Sequence, residues 1–149
     1  MEVRTIVVID RPIEKVWAYL DDHSHELDWR APSLKSLDQV GAGPAGVGTQ
    51  YKGVIALGPG GFPYVNELTR YDPPNRVSWK AVSSTGWVVG SSGSYVLERD
   101  GDRTRLTHEI ELEPNKFAGR LVMPLVGAMG SRMVMPMLVK LKAEVEKGG

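Results

Sequence analysis

The chain has 149 residues, the size of one ordinary domain, and a globule of this length buries roughly 68–70% of its unfolded surface, so a large core needs no covalent staples. Eighteen Lys and Arg balance eighteen Asp and Glu, and there is no cysteine. This removes disulfides, thiolate metal sites and cysteine nucleophiles, and leaves no basic field of the kind that nucleic acid requires.

The opening MEVRTIVVID has no charged start, long apolar centre or cleavage site of a secretory signal. Val and Ile over residues 2–9 predict a first strand, and a cytoplasmic location is expected. In DRPIEKVWAYLDD, Asp10 is a candidate cap and Pro12 stands near the first helical position. Ile13, Val16, Trp17 and Leu20 follow at helical spacing as one buried stripe. The polar DHSHELDWRAP predicts a second short helix that stops before Pro32. Its Asp21, Asp22, Glu26 and Asp28 read as a solvated acidic surface.

From there to residue 113 the period changes to two. GAGPAGVG (41–48) leads into TQYKGVIAL, in which Tyr51, Gly53, Ile55 and Leu57 share a face. GPGG (58–61) turns the chain into YVNELTRY, and YDPPNR turns it again into VSWKAV, where Val77, Trp79 and Ala81 share a face. GWVVGSSGSYVLE places Trp87, Val89, Tyr95 and Leu97 together, with glycines that permit bending. After the turn RDGDR, TRLTHEIEL sets Leu106, His108, Ile110 and Leu112 on one face. Consecutive short strands joined by tight turns predict a curved antiparallel sheet.

The last 35 residues return to a period near 3.6, with Val122, Val126, Met129, Met133, Met137 and Leu141 advancing along one face of a long helix. LVMPLVGAMGSRMVMPMLV is nearly long enough to span a bilayer, but Arg132 near its middle, two prolines and two glycines speak against it, and no membrane span is expected.

Taken together, PIEKVWAYLDD after a first strand, GVGTQYKG, NELTRYDPPNRVSW, YVLERDGDRTRLTHEIEL and the closing amphipathic helix resemble the polyketide cyclase/dehydrase branch of the START-like superfamily. This superfamily is also called SRPBCC or helix-grip and includes the birch-pollen-allergen type. The resemblance spans nearly the whole chain, 1–149, as a single ligand-cavity domain. It implies an α+β helix-grip fold: a curved seven-stranded antiparallel sheet wrapped around a long C-terminal helix, with two short helices after strand 1 and an apolar cavity between sheet and helix. A ligand follows from it more firmly than a reaction. The glycine-rich LGPGGFPY and the methionine-rich helix depart from the family pattern, so the entrance is expected to be this chain's own.

His108 is the leading candidate. An imidazole on an inward strand face is either a core histidine satisfied by a neighbour or a cavity group acting as general acid or base. His23 and His25, two apart, build no metal site with it, and no metal or other cofactor is expected. Glu67 is a candidate partner carboxylate, with a surface position as the alternative; Arg70 stands on the opposite face, beside Asn66 and Leu68. Tyr51, Trp79, Trp87 and Tyr95 fall on inward faces as core or cavity wall. Trp29 and Tyr64 are candidates for the rim. Met129, Met133 and Met137 are either plain core or an adaptable wall. No nucleophile elbow, P-loop or dinucleotide fingerprint is present, since no helix follows GAGPAG.

The expectation is a protein that holds a small hydrophobic, aromatic or polyketide-like molecule, with or without cofactor-independent cyclisation or dehydration. A lipid or metabolite carrier and an interaction module using the apolar C-terminal helix are the alternatives. Whether the chain is a monomer or a homodimer is open.

Overall fold

The strand that opens the chain, β1 (Glu2–Ile9), alternates without a break: Val3, Thr5, Val7 and Ile9 are buried while Glu2, Arg4 and Ile6 are exposed. The computed structural model describes residues 2–56, 59–84, 91–111, 132 and 134–148. After β1 come α1 (Ile13–Asp21), a 3-10 turn (His23–His25) and α2 (Glu26–Arg30). Six strands follow: β2 (Leu34–Val40), β3 (Gln50–Ile55), β4 (Phe62–Asp72), β5 (Arg76–Ser84), β6 (Ser92–Asp100) and β7 (Arg103–Glu111). Residues 134–147 form the C-terminal helix, α3. All seven strands join one sheet in the order β1-β7-β6-β5-β4-β3-β2, and every pairing is antiparallel. This is the expected helix-grip arrangement.

Helix α1 starts one step later than the sequence suggests. Pro12 holds the cap position in an extended conformation and no side chain bonds the first turn, so Asp10 is not the cap. The fixed ring of Pro12 enters the helix without needing an N–H there.

The packed core occupies one end of the sheet. Ile9 of β1, Ile13 and Val16 of α1, Leu97 of β6, Leu106 of β7, and Leu138 and Leu141 of α3 are all at most 1% exposed and form one cluster. Full burial of each large aliphatic side chain contributes about 1.5–3 kcal/mol, which holds α3 against β1 and α1. Polar ties fix its angle. Lys142 donates to the Val8 carbonyl at 2.8 Å, and Arg11 donates to the Glu146 carbonyl.

Two irregularities in the β4–β5 ladder bend the sheet, one between Val65 and Asn66 and the other between Leu68 and Arg70. The second resets the alternation: Tyr64, Asn66 and Leu68 point inward before it, and Tyr71 points inward after it. Among the described residues no helix is long and apolar enough to cross a membrane. Trp87, Met129 and Met133, together with Val122 and Val126, lie outside the described residues.

Candidate ligand cavity

Beyond the packed end, sheet and helices part and leave a cavity of about 280 Å³, near the lower end of the range for small-molecule sites. Its sheet wall comes from Tyr51 on β3, Tyr64, Asn66, Leu68 and Tyr71 on β4, Val77, Trp79 and Ala81 on β5, Tyr95 on β6 and His108 and Ile110 on β7. Trp17, Asp21, His23, Glu26 and Arg30 contribute from the helical side, and Met137 from α3.

One row across the sheet separates core from cavity. Thr5, His108, Tyr95, Val77 and Tyr71 are successive register partners from β1 to β4. On β7, Leu106 belongs to the core and Ile110 to the cavity wall, with His108 between them. An imidazole on this apolar face is therefore at the floor of a hollow, where a purely aliphatic residue would offer no polar contact.

His108 is 5% exposed, and its Nδ1 has no hydrogen-bond partner among the described residues; the same holds for the Oγ1 of Thr5, its register partner on β1. Buried polar atoms are rarely left unpaired, and of these two residues His108 is the one that lines the cavity. Burial pushes the His108 pKa down to about 4, and the Arg30 charge works in the same direction. The ring is thus neutral at pH 7. Around it stand Tyr95, with ring centroids 5.1 Å apart, and Trp79 at 6.1 Å; Trp79 and Tyr95 are themselves 4.9 Å apart.

Two glycines make room for this aromatic wall. Gly93 is the register partner of Trp79, and a Cβ on it would lie 2.5 Å from the indole. Gly53 opposes Tyr64 in the same way, with a Cβ placed 2.5 Å from the phenol.

The helical side brings charge. Arg30 and Glu26 form an ion pair one turn apart on α2, with Nη1 donating to Oε2 at 2.9 Å, and their side chains are 24% and 14% exposed. Burial works to lower the Arg30 pKa, but Glu26 foremost, with Tyr95 and Tyr64, more than offsets it and the guanidinium stays charged. Burial raises the pKa of Tyr95, with Glu26 adding to it, and burial raises that of Tyr64 against the opposing Arg30 charge. Both phenols are neutral donors at pH 7. Nearer the mouth, Tyr71 donates to Asp21 at 2.6 Å and the rings of His23 and Tyr51 lie 5.4 Å apart.

Several sequence expectations need correction. Glu67 and Arg70 do not line the cavity. Glu67 stands on the outer face, accepting from Gln50 at 2.9 Å, and the irregularity after Leu68 turns Arg70 outward to Asp72. Trp29 is not at the rim: it is 2% exposed, part of the core, and meets Tyr95 edge-on with centroids 6.3 Å apart. Tyr64 is wall, at 7% exposure. The acidic helical segment is not simply solvated, since Asp21 and Glu26 face the cavity. Sequence reasoning missed Glu26 and Arg30; the Glu-x-x-x-Arg spacing beside the buried Trp29 was the available signal. Among the described residues no three histidine or carboxylate side chains converge as a metal-ligand set.

The comparisons with known proteins agree with this fold. Residues 1–146 match the family model described as polyketide cyclase / dehydrase and lipid transport. The chain belongs to this family. Among solved structures, the cyclase/dehydrase-family chain is similar to a START superfamily protein of Mycobacterium smegmatis (12% identity, 99% of both chains covered, TM-score 0.81). It is also similar to the Zhui aromatase/cyclase of Streptomyces sp. R1128 (18% identity, 99% of this chain and 94% of that one, TM-score 0.77). Norcoclaurine synthase of Thalictrum flavum, solved with dopamine and hydroxybenzaldehyde, matches at 15% identity over 100% of this chain and 88% of that one, with a TM-score of 0.74. At these identities the structural likenesses establish the shared fold of the family. No curated protein matches the chain.

Proposed function

We propose that this member of the family binds an aromatic or polyketide-like molecule in the cavity and acts on it by general acid–base chemistry at His108. The observation that carries the reading is the unpartnered Nδ1 of a buried imidazole on the cavity wall. An aromatic ligand burying about 200 Å² of apolar surface gains on the order of 5 kcal/mol from burial alone. Polar groups then set its orientation.

The chemistry follows from the protonation states. Arg30 and the tyrosine hydroxyls donate hydrogen bonds to a ligand carbonyl and draw charge onto its oxygen, which acidifies the adjacent C–H. Neutral His108 takes that proton. An imidazolium is costly in this environment, so it forms only alongside the enolate whose charge offsets it. In cyclisation the enolate carbon bonds to a second carbonyl carbon, and the imidazolium returns its proton to the new alkoxide. In dehydration of a β-hydroxy ketone, the C–O bond breaks and the returned proton leaves with the departing oxygen as water. Neither sequence needs an external oxidant or reductant.

A panel of hydroxylated aromatic ketones, followed by tryptophan fluorescence and thermal stability, tests the binding step. If none changes either signal, the cavity reading fails. Where a ligand binds and turns over, His108→Leu is expected to lose at least a hundredfold in kcat while retaining affinity within about tenfold. Equal turnover in that variant removes His108 as the acid–base group; binding without turnover in the wild type points to a carrier.

A further inference from the structure

One ion pair sits on the cavity wall rather than on the outer surface. Glu26 and Arg30 both face the hollow, bonded to each other at 2.9 Å. By contrast, another pair one helical turn apart, Lys142–Glu146 on α3, serves to tie that helix to β1 through the Val8 carbonyl. A pair of this kind adds little to stability, because desolvation consumes most of the attraction. Its effect on a ligand is larger. An arginine alone in an apolar hollow is a carboxylate site, since its planar fork matches the two oxygens. With Glu26 already against it, an incoming carboxylate meets a second negative charge at close range in a weakly screening environment.

We infer that Glu26 is a specificity residue that excludes anionic ligands, such as fatty or aromatic acids, and selects uncharged ligands carrying both a hydroxyl and a carbonyl oxygen. This rests on the ligand-cavity reading above and names what that cavity rejects. A neutral hydroxy ketone satisfies both members of the pair: its hydroxyl donates to Glu26 while its carbonyl accepts from Arg30 or from the neighbouring Tyr64 hydroxyl. Tyr64 and Tyr95 strengthen the preference. Both stay protonated beside the pair, so they add neutral hydrogen-bonding groups and no further charge to it.

Three naphthalene probes test this at pH 7: naphthalene as the apolar control, 4-hydroxy-2-acetonaphthone as the neutral hydroxy ketone and 4-hydroxy-2-naphthoate as the anion, the 1,3 placement keeping the hydroxyl free of its own carbonyl. The wild-type protein is expected to bind the hydroxy ketone at least tenfold more tightly than the naphthoate and more tightly than naphthalene. Glu26→Gln keeps the size and a weaker hydrogen bond but frees the arginine charge, and is expected to raise naphthoate affinity at least tenfold and to shift the naphthoate-to-hydroxy-ketone affinity ratio at least tenfold toward the anion. Adding Arg30→Gln to that variant is expected to abolish the gain. Naphthoate binding to the wild type as tightly as the hydroxy ketone overturns the inference, as does an unchanged ratio in folded Glu26→Gln. The wild-type comparison stands even if the variants do not fold. If naphthalene binds and the hydroxy ketone binds no better, the pair is not an anchor; if none of the three binds, the underlying cavity reading fails with it.

Discussion

His108 on β7 and Tyr95 on β6 are register partners whose rings lie 5.1 Å apart at 39°. Toward one end of the sheet from this pair, Leu97 and Leu106 are packed solid; toward the other, Ile110 and Trp79 line open space. Both polar side chains thus occupy the border between two environments. The tyrosine is held protonated by its burial, and the histidine is held unprotonated.

That histidine makes stability depend on acidity in a defined direction. Its pKa falls from 6.5 in the unfolded chain to about 4 in the folded one, so between these values the unfolded state binds more protons. Stability is therefore full above about pH 6.5 and is lost as the pH drops toward 4, by about 3 kcal/mol from this group alone. Urea unfolding of the wild type and His108→Leu at pH 7 and pH 4.5 isolates the effect. The variant is expected to lose markedly less stability across that interval, and parallel losses in the two proteins would contradict it.

Trp79 reaches across Gly93, and a Cβ there meets the indole at 2.5 Å. Gly93→Ala is expected to displace the ring into the cavity, costing about 1–3 kcal/mol in stability and shifting tryptophan fluorescence. Ligand affinity should fall at least tenfold. Unchanged affinity would mean that the indole does not border the ligand.

The two faces of α3 are expected to respond differently. Leu138 is 0% exposed in the core, so Leu138→Ala should cost about 2–5 kcal/mol, read by denaturant unfolding. Met137 lines the cavity and is only half-buried, so Met137→Ala should cost less than half as much while changing which ligands bind. Equal destabilisation by the two would place Met137 in the packed core.

At the mouth, the Tyr71 hydroxyl donates to Asp21 at 2.6 Å and joins β4 to the end of α1. Tyr71→Phe removes this link and is expected to cost about 1 kcal/mol and to speed ligand exchange, measured by stopped-flow fluorescence. Burial, then Asp21, pushes the phenol up to about 12, so no pH dependence from this group is expected below pH 10. Identical exchange rates in the two proteins would remove Tyr71 from the entrance.

How far the site could be read in advance differed from residue to residue. Tyr51, Trp79, Tyr95 and His108 lie on regular stretches of strand where alternation assigns the inward face, and each is found on the cavity wall. Arg70 shows where alternation fails, because the irregularity after Leu68 inverts the faces and is not encoded by residue type. Trp29 and Glu26 lie three residues apart on a five-residue helix, too short for a periodic stripe to say which side meets the core. Only the docking of α2 against the sheet put Trp29 in the core and Glu26 on the cavity wall.

The order of strands and helices followed from local pattern, because turn residues and the switch from a period of two to one near 3.6 act over a few neighbours along the chain. So did the inward direction of His108. What only the tertiary structure decided was the size and lining of the hollow that the family resemblance implied, and that a Glu–Arg pair stands on one side of it. Volume between a sheet and a helix depends on curvature, irregular register and docking angle, each set by contacts between residues far apart in sequence.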